Sequence, residues 1–175
     1  MRQIKINDNL IKQDSDCYII AEIGHNHQGN LDKCFDIIEK AIESGVSAIK
    51  LQKRNNKNLF TTKFYNQVYN SEHAFGETYG EHRESLEFNK EEFKKIKNYC
   101  SDKKIDFICT AFDQDSIDFL IDIDIDAIKF ASADLINIPL LEYGASKNKP
   151  LIISTGGALK EDIDRATVTI NKFHN

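Results

Sequence analysis

Polar side chains interrupt or follow five short apolar segments, and they are the residues of this sequence that could do chemistry. They comprise a carboxylate, two lysines, an amide and several hydroxyls: Glu22, Lys50, Gln52, Thr110, Lys129, Ser132, Ser154 and Thr155. Lysine is almost never fully buried without a partner, yet AIKLQ and AIKFA each place one inside an apolar segment. Either lysine alone could be a paired ion or a side chain that reaches solvent. Two of them, accompanied by hydroxyls, favour a site for a phosphate and a nearby carboxylate, where Glu22 could move a proton or hold a sugar hydroxyl.

The elements that would position these residues alternate between strand and helix. Apolar runs predict strands over 17–23, 46–52, 105–110, 127–132 and 150–154, and apolar spacings of three and four residues predict a helix after each. Asn30 is a predicted N-cap, Gly45 a predicted helix end, and Asn89 with Glu92 a predicted capping box. Strands that are apolar on both faces predict a parallel α/β sheet. A doubly wound sheet and a (β/α)8 barrel both fit this order, and both bind ligands at the carboxyl ends of the strands.

Two features of the connecting segments bear on function. The segment from Arg54 to Phe88 is unusually long, which is typical of a lid or a binding loop. His25 and His27 form an HxH pair in the first loop, GHNHQG, which lacks the GxGxxG pattern of dinucleotide-binding folds. A metal site is one interpretation of the pair. Hydrogen bonding within the loop is the favoured one, because no third ligand stands at a suitable spacing.

Composition excludes several classes of partner. The 175 residues are enough for one hydrophobic core. The net charge is −5 and the lysines alternate with acidic residues, which argues against nucleic acid as a partner. No apolar run approaches the roughly 20 residues that span a bilayer, and the start of the chain has no signal-peptide pattern. The widely spaced Cys17, Cys34, Cys100 and Cys109 predict reduced thiols, most of them buried, in a cytoplasmic protein.

Five motifs in order resemble the sialic acid synthase family: AEIGHNHQGNL, AIKLQ, TYGEHRESLEF, KFASADLINIPLLE and KPLIISTGGA. The resemblance runs from about Tyr18 to about Leu159. It implies a TIM-type (β/α)8 barrel, of which about five βα units are present here. It also implies a transferase of carbohydrate biosynthesis that condenses phosphoenolpyruvate with N-acetylmannosamine or a related hexosamine to give a nonulosonic acid and phosphate, in a homodimer.

The resemblance also implies roles for individual residues. It assigns phosphoenolpyruvate to Lys50, Thr110, Lys129 and Ser132, and the sugar to Glu22 and Asp134, with Ser154 and Gln52 beside the ligands. Glu22, Lys50 and Lys129 are therefore the predicted catalytic residues. The long 54–88 segment would contribute to sugar binding, with His73 where many relatives have asparagine. In the implied reaction, C3 of phosphoenolpyruvate attacks the sugar aldehyde, which a divalent metal polarises; water then adds at C2 before phosphate departs.

The chain also departs from the family pattern. Relatives carry Mn²⁺ or Mg²⁺ on two histidines of later barrel strands, and none of the histidines here lies in a matching motif: His25, His27, His73, His82 and His174. A closed barrel takes about 250 residues. Residues 1–175 are thus expected to be an N-terminal portion of the barrel, without the remaining strands, the metal ligands or the C-terminal antifreeze-like domain. This portion alone would be inactive. The alternative function is a truncated, non-catalytic phosphate-binding or assembly module, because an open sheet exposes strand edges that recruit partners.

Overall fold

The computed structural model describes residues 3–173 and contains two sheets. A two-strand antiparallel hairpin comes first, formed by β1 (Gln3–Ile6) and β2 (Asn9–Lys12). A parallel sheet follows, made of β3 (Ile20–Gly24), β4 (Ala48–Lys53), β5 (Asp106–Ala111), β6 (Ala127–Phe130) and β7 (Leu151–Ile153). Its strand order is β3-β4-β5-β6-β7. The predicted parallel sheet with strands in sequence order is therefore confirmed.

Helices connect the strands of the parallel sheet. They are α1 (Leu31–Glu43), α2 (Asn56–Leu59), α3 (Thr62–Tyr65), α4 (Tyr79–Glu84), α5 (Lys90–Asp102), α6 (Gln114–Asp122), α7 (Ile138–Ala145) and α8 (Lys160–Ile170). The predicted caps of α1 and α5 are confirmed. Asn30 caps α1 by accepting from the backbone N–H of Lys33 at 2.8 Å, and Asn89 and Glu92 form the capping box of α5. Gly45 follows α1 with a φ of +76°, a conformation that glycine adopts without strain.

The two faces of the parallel sheet have different neighbours. Strand residues such as Ile49, Leu51 and Phe107 are fully buried against apolar side chains of the helices, including Ile38 and Phe93. The opposite face has a smaller cluster, to which only the strands, the hairpin and the segment just before β3 contribute. A doubly wound sheet would carry helices on both faces. Within residues 3–173 the helices pack on one face only, which is the arrangement of consecutive βα units in a barrel.

The N-terminal hairpin closes the amino end of the face that the helices leave open. Ile6 of β1 is 1% exposed and packs with Ala48, Ile108 and Ala127. The carboxylate of Asp106 at the start of β5 ties the hairpin down by accepting hydrogen bonds from three side chains, Asn7 (2.8 Å), Asn9 (2.8 Å) and Tyr18 (2.6 Å). The hairpin was not predicted from the sequence, although QIKI and NLIK flank a short Asn7-Asp8 turn.

Several predicted strands are longer than the observed ones. The first begins at Ile20 rather than at residue 17, and the fourth ends at Phe130. Ser132 therefore lies on a 3₁₀ turn, Ser132–Asp134, that follows β6. The long segment after β4 contains α2, α3 and α4, so it is a folded insertion. Of the predicted free thiols, Cys34, Cys100 and Cys109 are buried and Cys17 is exposed. His174 lies outside the described residues.

Candidate functional site

The strand register brings predicted site residues onto one face of the sheet. Glu22 pairs with Lys50 across β3 and β4, while Gln52, Thr110 and Lys129 occupy one row across β4, β5 and β6. Residues in one parallel row, and residues two apart in one strand, point to the same face. All five side chains therefore project from the face of the sheet that the helices do not cover. They do so near the carboxyl ends of the strands. We call this edge the rim.

The two rim lysines interact electrostatically. Burial, and then the nearby charge of Lys129, lower the pKa of Lys50 to about 8. Burial also lowers the pKa of Lys129, whose ammonium donates to the carbonyl of Phe130 at 3.1 Å. Lys50 also forms an ion pair with Glu22. The side chain of Lys50 is 12% exposed and that of Glu22 is 45% exposed, so the carboxylate lies at the mouth of the rim. Glu22 pairs with Lys50 only, and within residues 3–173 Lys129 forms no ion pair, so its positive charge is available for an anion.

The hydroxyl groups lie at the same end of the sheet as the lysines, but only Thr110 shares a row with one of them. Thr110 is 4% exposed and sits in its row between Gln52 and Lys129. Ser132 is exposed on the 3₁₀ turn, and with Gly156 and Gly157 it lines a cavity of about 310 Å³. Ser154 directly follows β7, and its backbone N–H donates to the carbonyl of Phe130 at 3.2 Å. A larger cavity of about 740 Å³ lies at the opposite end of the sheet, beside the hairpin.

Asp134 is the second predicted sugar-facing carboxylate, and it lies at the end of the 3₁₀ turn after β6. Burial raises the pKa of this carboxyl group, while hydrogen bonding with Asn137 and the charge of Arg54 act in the opposite direction. Because this turn follows β6 directly, Asp134 lies at the same end of the sheet as Glu22.

A cluster of charged side chains that is linked to Glu22 through Gln52 was not predicted from the sequence. Arg54 donates to the side-chain oxygen of Gln52 at 2.7 Å, and Gln52 in turn donates to Glu22 at 3.5 Å. Arg54 and Arg83 lie 3.4 Å from the two ring nitrogens of His25. Glu87 accepts from Lys53 at 2.8 Å. These contacts join the 54–88 insertion to the rim.

Short-range sequence signals do position Arg83. Thr78 and Glu81 form a capping box that starts α4, and Gly80 lies so close to Tyr65 that an added Cβ would be 2.3 Å from its ring. The TYGEHR sequence thus fixes the short helix against the preceding part of the insertion. What the sequence did not indicate is that the helix faces His25 and Arg54. Another residue of the insertion, His73, is exposed.

His25 and His27 do not have the surroundings of metal ligands. The ring of His27 is 2% exposed, stacks on Phe88 at 4.1 Å between centroids, and accepts from the backbone N–H of Gly29 at 3.1 Å. Burial lowers its pKa to about 4. His25 faces the two guanidiniums. Among residues 3–173 there is no group of three or more His, Cys, Asp or Glu side chains that could hold a metal ion.

Comparison with known proteins agrees with this architecture. Residues 37–175 match the NeuB family. The chain belongs to the NeuB family. Its relatives include the N-acetylneuraminate-9-phosphate synthase of Drosophila melanogaster, which is 39% identical over 89% of this chain and 42% of its own length. The N,N'-diacetyllegionaminic acid synthase of Legionella pneumophila is 33% identical over 90% of this chain and 45% of its own length. The chain thus spans less than half the length of these NeuB-type relatives.

Solved structures of the family have the same fold. The N-acetylneuraminic acid synthetase of Leptospira borgpetersenii is 30% identical and superposes with a TM-score of 0.82, covering 98% of this chain and 55% of that one. A truncated 3-deoxy-D-arabino-heptulosonate 7-phosphate synthase from Thermotoga maritima is only 14% identical, with a TM-score of 0.66, and is alike in fold alone. The α/β barrel class predicted from the sequence is therefore confirmed. None of the described helices has the length and apolar character needed to cross a membrane.

Proposed function

We propose that this chain forms the phosphoenolpyruvate half of a synthase of the sialic acid type. The reaction would be the condensation of phosphoenolpyruvate with an N-acetylated hexosamine, with formation of a C–C bond and release of phosphate. One observation carries the proposal above all. Lys50 and Lys129 project from the same face of the sheet at the rim, close enough for one charge to lower the pKa of the other group.

The rim residues would bind and orient the donor. The ammonium groups of Lys50 and Lys129 neutralise the phosphate and carboxylate of phosphoenolpyruvate, and the hydroxyls of Thr110 and Ser132 supply hydrogen bonds to them. Fixed cations of this kind hold the enol in position and stabilise charge that develops during the reaction. In the overall balance, C3 of the donor bonds to the aldehyde carbon of the sugar, the aldehyde oxygen takes up a proton, and water adds at C2 as phosphate leaves.

Glu22 would serve the acceptor sugar. Its carboxylate is the most exposed part of the pair with Lys50, so it can contact a sugar that sits above the donor. It accepts from Gln52 and pairs with Lys50, and these contacts fix its position at the mouth of the rim. A carboxylate in this place can hold a sugar hydroxyl or move a proton at it. Asp134 would face the same sugar from the turn after β6.

The names of the relatives leave two classes of acceptor open. The relative from Drosophila melanogaster is named for a 9-phosphate product, whereas the one from Legionella pneumophila is named for a diacetylated acid without phosphate. Because the three carbons of phosphoenolpyruvate add to C1 of the sugar, C6 of the hexosamine becomes C9 of the product. The acceptor is therefore an N-acetylated hexosamine, either free or phosphorylated at C6.

A titration of phosphoenolpyruvate followed by ³¹P NMR tests the donor site. We expect Lys50→Met to weaken binding by roughly 10- to 100-fold, since a charge-assisted contact to the phosphate is removed. Lys40→Met is the matched control, because Lys40 is 76% exposed on α1 and already paired with Glu43. Equal affinities of the Lys50 and Lys40 variants would contradict the donor site.

A non-catalytic binding or assembly module is the second candidate. The observation that favours it is that β3 and β7 are the outer strands of the described sheet, and edge strands pair readily with other chains. We expect the 175-residue chain as the sole polypeptide to bind phosphoenolpyruvate weakly and to release no phosphate when N-acetylmannosamine and Mn²⁺ are added. Sugar-dependent phosphate release at an ordinary enzymatic rate would exclude the non-catalytic module.

A further inference from the structure

Two arginines of the 54–88 insertion converge on a single uncharged partner. Nη1 of Arg54 lies 3.4 Å from Nε2 of His25, and Nη2 of Arg83 lies 3.4 Å from Nδ1 of the same ring. Within the described part of the chain, neither guanidinium has a carboxylate within 4.0 Å. Nε of Arg83 is buried without a hydrogen-bond partner. Both arginines are partly buried, and a guanidinium that is withdrawn from water without a carboxylate partner favours the binding of an anion.

The hydrogen-bonding capacity of His25 also leaves one of the two arginines without an acceptor. Burial first, and then Arg54 and Arg83, lower the pKa of His25 to about 3, so the ring is neutral at pH 7. A neutral imidazole accepts at one nitrogen only, while a guanidinium only donates. Nε2 also lies 3.7 Å from Oε1 of Glu87, which favours a proton on Nε2 and acceptance from Arg83 at Nδ1. An N–H group of Arg54 is then directed at the N–H group on Nε2 of His25, which cannot accept it.

One carboxylate, Glu87, offsets only part of the charge of the pair. Its Oε2 accepts from the ammonium of Lys53 at 2.8 Å and from the backbone N–H of Arg54 at 3.3 Å, while its Oε1 makes no hydrogen bond. Among the described residues, Glu87 is the one carboxylate that forms an ion pair with any of these three cations, and it pairs with Lys53 rather than with Arg54 or Arg83. Burial and the charge of Arg83 lower the pKa of Arg54 to about 10, so Arg54 remains charged at pH 7. The excess of positive charge is carried by the two guanidiniums.

Arg54 and Arg83 lie at the end of the rim where the acceptor sugar is proposed to bind. The guanidinium of Arg54 stacks 3.8 Å above the ring of Phe112 and donates to Gln52, which contacts Glu22. Its charge also opposes the effect of burial, which raises the pKa of Asp134. Both arginine side chains remain partly exposed. A ligand that reaches Glu22 and Asp134 would therefore have its far end beside the arginines rather than beside the rim lysines.

We propose that Arg54 and Arg83 form a second anion subsite, which binds the phosphate of a phosphorylated acceptor sugar. The inference rests on the proposed function, because it needs the rim lysines to be occupied by phosphoenolpyruvate. A sugar phosphate is close to a dianion at pH 7, so it matches two guanidiniums in charge. Its oxygens accept the N–H groups that His25 leaves unpaired, and planar guanidiniums bind phosphate oxygens in pairs. The acceptor is then the hexosamine 6-phosphate and not the free sugar.

Binding of N-acetylmannosamine 6-phosphate and of N-acetylmannosamine, each with saturating phosphoenolpyruvate present, tests the subsite. We expect the sugar phosphate to bind roughly 10- to 100-fold more tightly. Arg83→Gln and Arg54→Gln should each remove most of that preference, and Arg83→Lys should keep part of it. Arg165→Gln is the matched control, since Arg165 is 58% exposed and paired with Asp162. The Nε–H NMR signals of Arg54 and Arg83, but not that of Arg165, should shift on addition of the sugar phosphate.

The outcomes separate the subsite from the proposed function. If phosphoenolpyruvate binds to the wild-type chain and depends on Lys50, but the sugar phosphate binds no better than the sugar or does not bind, only the subsite is refuted. A preference that survives both Arg83→Gln and Arg54→Gln refutes it as well. Failure of phosphoenolpyruvate to bind refutes the proposed function itself. Thermal unfolding of each variant, compared with Arg165→Gln, shows whether a loss reflects the subsite or the fold.

Discussion

Removal of Lys129 should change both the strength and the pH dependence of phosphoenolpyruvate binding. At an effective dielectric constant near 20, a unit charge 4 Å from another contributes about 4 kcal/mol. Part of this is offset by the cost of taking both groups out of water. We therefore expect Lys129→Met to weaken binding at pH 7 by about 2 to 3 kcal/mol, or roughly 30- to 200-fold.

The pH dependence provides the sharper measurement. The pKa of Lys50 is about 8, lowered by burial and by the charge of Lys129. An ammonium group is charged below its pKa, so wild-type affinity should be full near pH 7 and fall as the pH rises above about 8. The phosphate of the ligand has its second pKa near 6 and stays ionised over this range. Without Lys129 the repulsion is gone, so the pH at which the remaining affinity falls should move upwards.

Calorimetric titrations of phosphoenolpyruvate between pH 7 and pH 10 measure both effects. Lys40→Met serves again as the control, with the wild-type affinity and pH profile. An unchanged affinity in Lys129→Met would mean that the ligand does not touch this lysine. The affinity could instead weaken while the pH at which it falls stays the same or decreases. This result would show that the charge of Lys129 does not lower the pKa of Lys50, and would contradict their placement side by side at the rim.

Two further predictions concern the rest of the fold. Asp106→Ala should lower the free energy of unfolding by about 2 to 4 kcal/mol, because the hydroxyl of Tyr18 and two asparagine amides of the hairpin lose a buried acceptor. Urea unfolding measures this loss, with Asp102→Ala at an exposed position as the control. Equal losses in the two variants would contradict the prediction. A thiol reagent should modify Cys17 rapidly in the folded chain. The three buried thiols should react only on unfolding, since burial raises the pKa of each: Cys34, Cys100 and Cys109. Fast reaction of more than one thiol in the native chain would contradict the packing.

The sequence alone was sufficient for the order and type of the main elements. Apolar periodicity and capping residues act over a few neighbours, which is why α1, α5 and the five parallel strands were predicted with small errors at their ends. The two lysines inside apolar strands were conspicuous for the same local reason. The hairpin was missed because its strands are mostly exposed, and it is held by the distant Asp106 rather than by its own pattern.

Tertiary structure decided which side chains meet. A shift of one residue in strand register would turn a side chain to the other face, so the common face of Lys50 and Lys129 became known only from the pairing of β4, β5 and β6. The arginine pair depends still more on packing. Arg54 is 29 residues from His25 in the chain, and Arg83 is 58 residues from it. No local pattern encodes such a meeting, because it results from the folding of the insertion back over the loop after β3.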